Sequence, residues 1–216
     1  RILPKVVLDT TTFTKKESTS IYKFIETMES DLGWSWFIPI LRTLLITGGR
    51  IDEVVNMKVD DLDMDDWKWK FAGKGLKTRT MPIQDEILQG ELKKMMLDED
   101  GLLINKKYVF HKSFYRKSPS GLRGYKKGQY SHYLDYDKPY SLSGVRKKFK
   151  KMIRYLKLND KLSVHSCRRY YITKLLKQTG GDVPLVAQAV GHSQWDVVRL
   201  YCKNVIDENT SLITAY

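Results

Sequence analysis

Along most of this chain apolar positions recur at helical spacing, and in one region they alternate. Residues 1–17 show no period and read as an extended lead-in or interdomain linker, with Pro4 and a threonine run. Thr14 or Ser18 is placed to cap a helix running to about Ser30, with Ile21, Phe24, Ile25 and Met28 on its apolar face. Residues 34–46 are apolar almost throughout and predict a buried helix. TGGR interrupts it, and IDEVVNMK resumes helical spacing through Ile51, Val54, Val55 and Met57. DDLDMDD is a polar turn region, a solvated loop rather than a metal site. In WKWKF, Trp67, Trp69 and Phe71 alternate with lysines, which predicts a half-exposed strand. AGKGLKTRT is a glycine-flanked turn and RTMPI the return strand, with Pro82 marking a strand edge or end. A helix near residues 85–97 follows.

The character changes over residues 105–155, which hold fifteen Lys/Arg, eight tyrosines and only two acids, Asp135 and Asp137. Residues 112–140 have no clean period and read as a long basic, aromatic loop or hairpin. Helical spacing returns at 142–157, with Val145, Phe149, Ile153 and Leu156 inward and lysines outward. Further helices are predicted over 164–178, 184–190 and 194–203, and 205–216 is left as a tail. The predicted class is α+β, mostly α-helical with one small antiparallel sheet or hairpin.

Charge narrows the partner. The chain has 216 residues and a formal charge of +13, from 38 basic and 25 acidic side chains. Such an excess points to a polyanion, most often nucleic acid, against the alternative of an ordinary basic surface. Two cysteines, Cys167 and Cys202, make neither a disulfide framework nor a metal set, and fit a reducing compartment. That suggests cytoplasm or nucleoid, or a nucleus. The most apolar run, WSWFIPILRTLLIT, is broken by Pro39 and Arg42, so no membrane span is expected and no signal peptide is read. The chain begins at Arg1, which suggests a fragment with an N-terminal domain removed.

Several side chains then call for a chemical role. His165 and Arg168 are three apart on a predicted helix and share a face, as an anion site or as a surface pair. Arg169 is rotated about 100° away and cannot share that site. Arg50 follows two glycines and opens a helix, a setting that favours anions; Glu53 is placed to orient it, or merely to pair with it. Lys74 stands between Gly73 and Gly75 at a hairpin tip, free to reach a ligand or simply an edge lysine. His192 precedes the last predicted helix, which contains Tyr201. Together these residues suit metal-free phosphodiester transfer. Arginines bear the charge on the nonbridging oxygens, a positioned acid protonates the leaving oxygen, and a tyrosine serves as covalent nucleophile.

The order Arg50, Lys74, His165-Ser-Cys-Arg168, Gly191-His192, Tyr201 resembles the catalytic domain of the tyrosine recombinases, the phage-integrase family. TGGRIDEVVNMKVDDLD resembles the family's first arginine motif, AGKGLKTRTMPI its hairpin lysine segment, LSVHSCRRYYITKLL its H-x-x-R helix and VGHSQWDVVRLY its nucleophile segment. The likeness covers about residues 18–204, the expected catalytic domain, with 112–140 as a longer, more basic segment than in compact members. Cys167 and Arg169 stand where members often carry Leu and His, at positions that are not catalytic there.

The resemblance implies that Tyr201 attacks a scissile phosphate of double-stranded DNA to form a 3′-phosphotyrosyl link. Arg50, Arg168 and His192 would stabilise the transition state, Lys74 would protonate the leaving 5′-oxygen, and His165 would act as base or hydrogen-bond donor in the reverse steps. It implies neither ATP nor metal, and a homotetramer on two DNA sites that recombines them. It also suggests that the tail over 206–216 docks on a neighbouring subunit, with a frayed chain end as the alternative. A type IB topoisomerase or hairpin telomere resolvase shares these features, and a non-catalytic DNA-binding protein is the more distant alternative.

Overall fold

The computed structural model describes residues 11–72, 78–104, 106–117, 130–191, 198–199 and 201. Lys74, His192, Cys202 and the 205–216 tail lie outside the described residues.

The architecture is mostly helical, with two small antiparallel sheets. Thr14 starts the first helix, α1 (Lys15–Met28). Its hydroxyl accepts from the Glu17 amide at 3.2 Å while Glu17 Oε2 accepts from the Thr14 amide at 2.9 Å. A cap of this kind contributes about 1 kcal/mol. The helix expected over 34–46 begins later, as α2 (Ile38–Thr47). Pro39 explains the shift, because proline is accommodated in the first turn and not in a helix interior. Helix α2 is buried on nearly all sides, Arg42 included, which identifies it as the core's central helix. Its hydroxyls bond back along the helix, Thr43 to the Pro39 carbonyl at 2.8 Å and Thr47 to the Thr43 carbonyl at 2.6 Å.

A short helix, α3 (Ile51–Val55), follows the two glycines. DDLDMDD holds more structure than a loop, with a 3-10 turn over Val59–Asp61 and a first strand, β1 (Leu62–Asp63). Strands β2 (Lys68–Ala72) and β3 (Thr78–Pro82) complete an antiparallel sheet in the order β1-β2-β3, with Leu62 opposite Trp69 and Trp69 opposite Met81. Trp67 does not join the strand: its φ of 49° places it in the turn before β2. Trp69 is wholly buried while Lys68 and Lys70 on either side are exposed, the alternation expected of a half-exposed strand.

Helix α4 (Glu86–Met96) is capped by Asp85. The basic, aromatic region forms a hairpin of β4 (His111–Lys117) and β5 (Tyr130–Pro139), a second sheet where one was expected. Helices α5 (Leu142–Tyr155), α6 (Val164–Gln178) and α7 (Val183–Val190) finish the order, and Val198, Arg199 and Tyr201 are again helical. Among the described residues no helix is long and apolar enough to cross a membrane.

The buried apolar side chains form two clusters. The larger runs from Phe13 to Cys167 and takes in α1 to α5 and the first sheet. The smaller comprises Ile172, Leu176, Val186, Ala187, Val190, Val198 and Tyr201. Helix α6 belongs to both, giving Val164 and Cys167 to the first and Ile172 and Leu176 to the second. Arg168 lies on α6 between these two sets of contacts.

Candidate active site

The turn after α2 sets Arg50. Gly48 takes a left-handed φ of 60°, and the Tyr171 ring occupies the space a side chain would need there. At Gly49 an added Cβ would lie 2.8 Å from Val54 and 3.2 Å from the Trp69 ring. These two close approaches seat the turn between α6 and the first sheet. Arg50 then caps α3: Glu53 Oε2 accepts from the Arg50 amide at 2.8 Å, and Glu53 Oε1 accepts from Arg50 Nη1, also at 2.8 Å. The Arg50 side chain remains 36% exposed, whereas that of Glu53 is 10% exposed.

A third residue, absent from the sequence prediction, enters here. Arg79 on β3 donates through Nη2 to the same Glu53 Oε1 at 2.8 Å, and through Nη1 to the Val190 carbonyl at the end of α7. Arg168 reaches that carbonyl too, through Nη2 at 2.5 Å, and donates through Nη1 to the Gly48 carbonyl at 2.6 Å. Period two carried the signal for Arg79, since it shares a face with Met81 and Ile83, both buried.

Electrostatics follow from this packing. Burial raises the Glu53 carboxyl, but hydrogen bonds from Arg50 and the charges of Arg79 and Arg50 outweigh it, and the group titrates below its ordinary value. Burial, then the neighbouring Arg50, holds Arg168 down at about 10, with Arg79 acting the same way and Glu53 and Tyr201 acting against it. Arg168 is therefore cationic at neutral pH, and the Tyr201 phenol lies within its electrostatic reach. Tyr201 is 7% exposed and packs in the smaller cluster.

His165 is exposed on the first turn of α6, beside a cleft of about 140 Å³ lined also by Arg146, Phe149, Lys150, Ser163 and Val164. Desolvation, then the charges of Arg169, Arg146 and Arg168, lowers its pKa against the opposing pull of Asp52. It is thus a neutral imidazole at physiological pH, able to accept a proton. Arg169 donates to the Thr11 carbonyl at 3.0 Å, while its charge still reaches His165. Cys167 is fully buried, and burial pushes its thiol far above the usual range, so it packs rather than reacts.

Of the six predicted catalytic residues, Arg50, Arg168 and Tyr201 are gathered in one place, and His165 adjoins them on the helix of Arg168. Lys74 and His192 fall outside the described residues. Among the described residues no group of three or more His, Cys, Asp or Glu is placed to hold a metal ion.

A family model described as "Phage integrase family" matches residues 11–206. The chain belongs to the phage integrase family. Its curated relatives include the tyrosine recombinase XerC of Thermodesulfovibrio yellowstonii, 24% identical over 201 residues, covering 93% of this chain and 58% of the relative. The tyrosine recombinase XerD of Staphylococcus haemolyticus is 26% identical over 162 residues, covering 75% of this chain and 48% of the relative. This integrase-family chain thus spans about half the length of the curated relatives it matches. Among solved structures, the XerH site-specific recombinase bound to its difH substrate superposes with a TM-score of 0.67 at 18% identity, over 94% of this chain and 53% of that one. XerA recombinase gives a TM-score of 0.66 at 17% identity, over 98% of this chain and 66% of that one. At these identities the superpositions establish the integrase-family fold.

Proposed function

We propose that this chain is the strand-cleaving part of a site-specific DNA recombinase, acting on double-stranded DNA through a 3′-phosphotyrosyl intermediate. The observation that carries this is the Tyr201 phenol lying within electrostatic reach of the Arg168 guanidinium, which also feels the charge of Arg50. The Tyr201 oxygen attacks the scissile phosphorus. A phosphorus–Oη bond forms as the bond to the 5′-oxygen breaks, and the phenolic proton leaves to a base. Arg50 and Arg168 bear the charge on the nonbridging oxygens, where fixed donors in a dry site act most strongly. His165, neutral at physiological pH, accepts the proton from the phenol or from a later attacking hydroxyl. Lys74 supplies the proton taken by the 5′-oxygen, and His192 adds a donor to the phosphate.

The phosphotyrosine keeps the bond energy, so a partner strand's 5′-hydroxyl reseals it by reversing the same step. Two duplexes and a homotetramer follow from exchanging strands in pairs. The neighbouring XerH structures, described as pre-cleavage and post-cleavage complexes on difH, are in keeping with this chemistry. The basic β4–β5 hairpin and α5 provide salt-sensitive phosphate contacts.

The test uses a pool of nicked duplexes with a randomised centre, which trap a cleaved strand by losing the short fragment. The wild-type chain is expected to form a denaturant-resistant protein–DNA adduct that Tyr201→Phe abolishes. No adduct on any duplex, or one that persists in Tyr201→Phe, would refute the proposal.

A further inference from the structure

We propose that Arg79 is a positioning residue that fixes the two phosphate-binding arginines, Arg50 and Arg168, relative to each other. The inference rests on the recombinase chemistry above and adds a residue to it.

The bonds form a closed ring. Arg50 Nη1 and Arg79 Nη2 each donate to Glu53 Oε1 at 2.8 Å. Arg79 Nη1 and Arg168 Nη2 both donate to the Val190 carbonyl, the second at 2.5 Å. Arg168 Nη1 closes on the Gly48 carbonyl at 2.6 Å, and the backbone through Gly49 leads straight back to Arg50. The ring holds three guanidiniums, two of them on its one carboxylate, which leaves it with an excess of positive charge for an anionic substrate.

Within this ring Arg79 is the link between the carboxylate and the α7 carbonyl. Its side chain is 16% exposed, against 36% for Arg50. Its guanidinium lies where a Cβ on residue 191 would sit, and Gly191 takes a φ of 62° there, so the fork is held in its plane by backbone. A planar fork spans two acceptors at once, whereas the point charge of lysine satisfies one. Without Arg79, Glu53 would keep only Arg50 as an ion-pair partner among the described residues, and the Val190 carbonyl would lose one of its two guanidinium donors. Each phosphate-binding arginine would then be drawn toward its own protein acceptor.

The test compares wild type, Arg79→Met and Arg79→Lys on the nicked duplex that gives most wild-type adduct. The scissile group is made as a phosphodiester, a methylphosphonate lacking one nonbridging charge, and a phosphorothiolate with sulfur at the 5′ bridging position. At saturating DNA, Arg79→Met is expected to slow adduct formation by about 10- to 100-fold, with DNA affinity within about threefold. Arg79→Lys should fall between the two. The deficit should shrink on the methylphosphonate, which asks less of the arginines, and stay unchanged on the sulfur-bridged duplex. If Arg79→Met does not fold, Arg79→Lys carries the same three-substrate comparison. Equal deficits on all three substrates, relief by the bridging sulfur, or cleavage at the wild-type rate would each overturn the inference. A wild-type chain with no Tyr201-linked adduct instead removes the recombinase chemistry on which it rests.

Discussion

The two apolar clusters are built on different scales. The larger draws on α1 to α5, the first sheet and the start of α6, and buries bulky side chains such as Trp69, Phe37, Phe110 and Phe149. The smaller rests on the later part of α6, α7 and the segment of Val198 and Tyr201. Arg50 and Glu53 stand on the first, and the proposed nucleophile on the second. Charge is thus presented from a heavily packed frame, and the attacking group from a lighter unit whose polar ties to that frame include two guanidinium bonds to Val190. A division of this kind separates an electrostatic pocket that must not move from a nucleophile that has to approach and depart.

The sharpest way to break that division is at its seam. Arg168→Ala removes a guanidinium of the proposed phosphate site and leaves the Val190 and Gly48 carbonyls with one donor fewer each. Adduct formation at saturating DNA should fall by about 10³-fold, while unfolding in urea shifts modestly. Single-turnover trapping and urea titration together check this.

Cavity mutations rank next. Leu41→Ala in the larger cluster and Leu176→Ala in the smaller should each cost about 3 kcal/mol at their own site. The first should lower the global unfolding midpoint. The second should chiefly raise amide exchange in α7 and weaken adduct formation. Equal exchange profiles for both would show that the clusters open as one unit.

The smallest effect is one of pH. Glu91, paired with Arg42 at 2.9 Å, is pushed by burial from 4.5 up to about 7. Between those values the unfolded chain has released a proton that the folded chain still binds. Stability therefore falls as pH rises through this window, by on the order of 1–2 kcal/mol. Urea unfolding at either end of the window measures the slope, which Glu91→Gln should flatten.

Much of this was legible in the sequence because local rules coincided. Thr14, one of two candidate caps for the first helix, is the one the structure uses. The paired glycines before Arg50 announced a sharp turn, and Glu53, three residues on, announced its partner. Other features depended on packing between distant segments. Apolar content carried the expected second helix back to residue 34, although Pro39 already limited its start. Trp69 and Trp67 looked alike in an alternating run, yet one is wholly buried and the other lies in a left-handed turn. Arg79 sat among basic residues that all resembled solvent-facing neighbours. Its period placed it on the inner face, but the carbonyl it meets lies 111 positions away, and no local pattern names such a partner.

That shared carbonyl has a consequence for how the chain tolerates change. The last carbonyl of a helix points where the number of preceding residues sends it. One residue inserted in α7 would turn the Val190 oxygen by about 100° and carry it about 1.5 Å along the axis, away from both guanidiniums. Conservative exchanges at outward positions of α7, such as the half-exposed Leu185, leave that oxygen in place. Over these eight residues it is the count, more than the composition, that the site constrains.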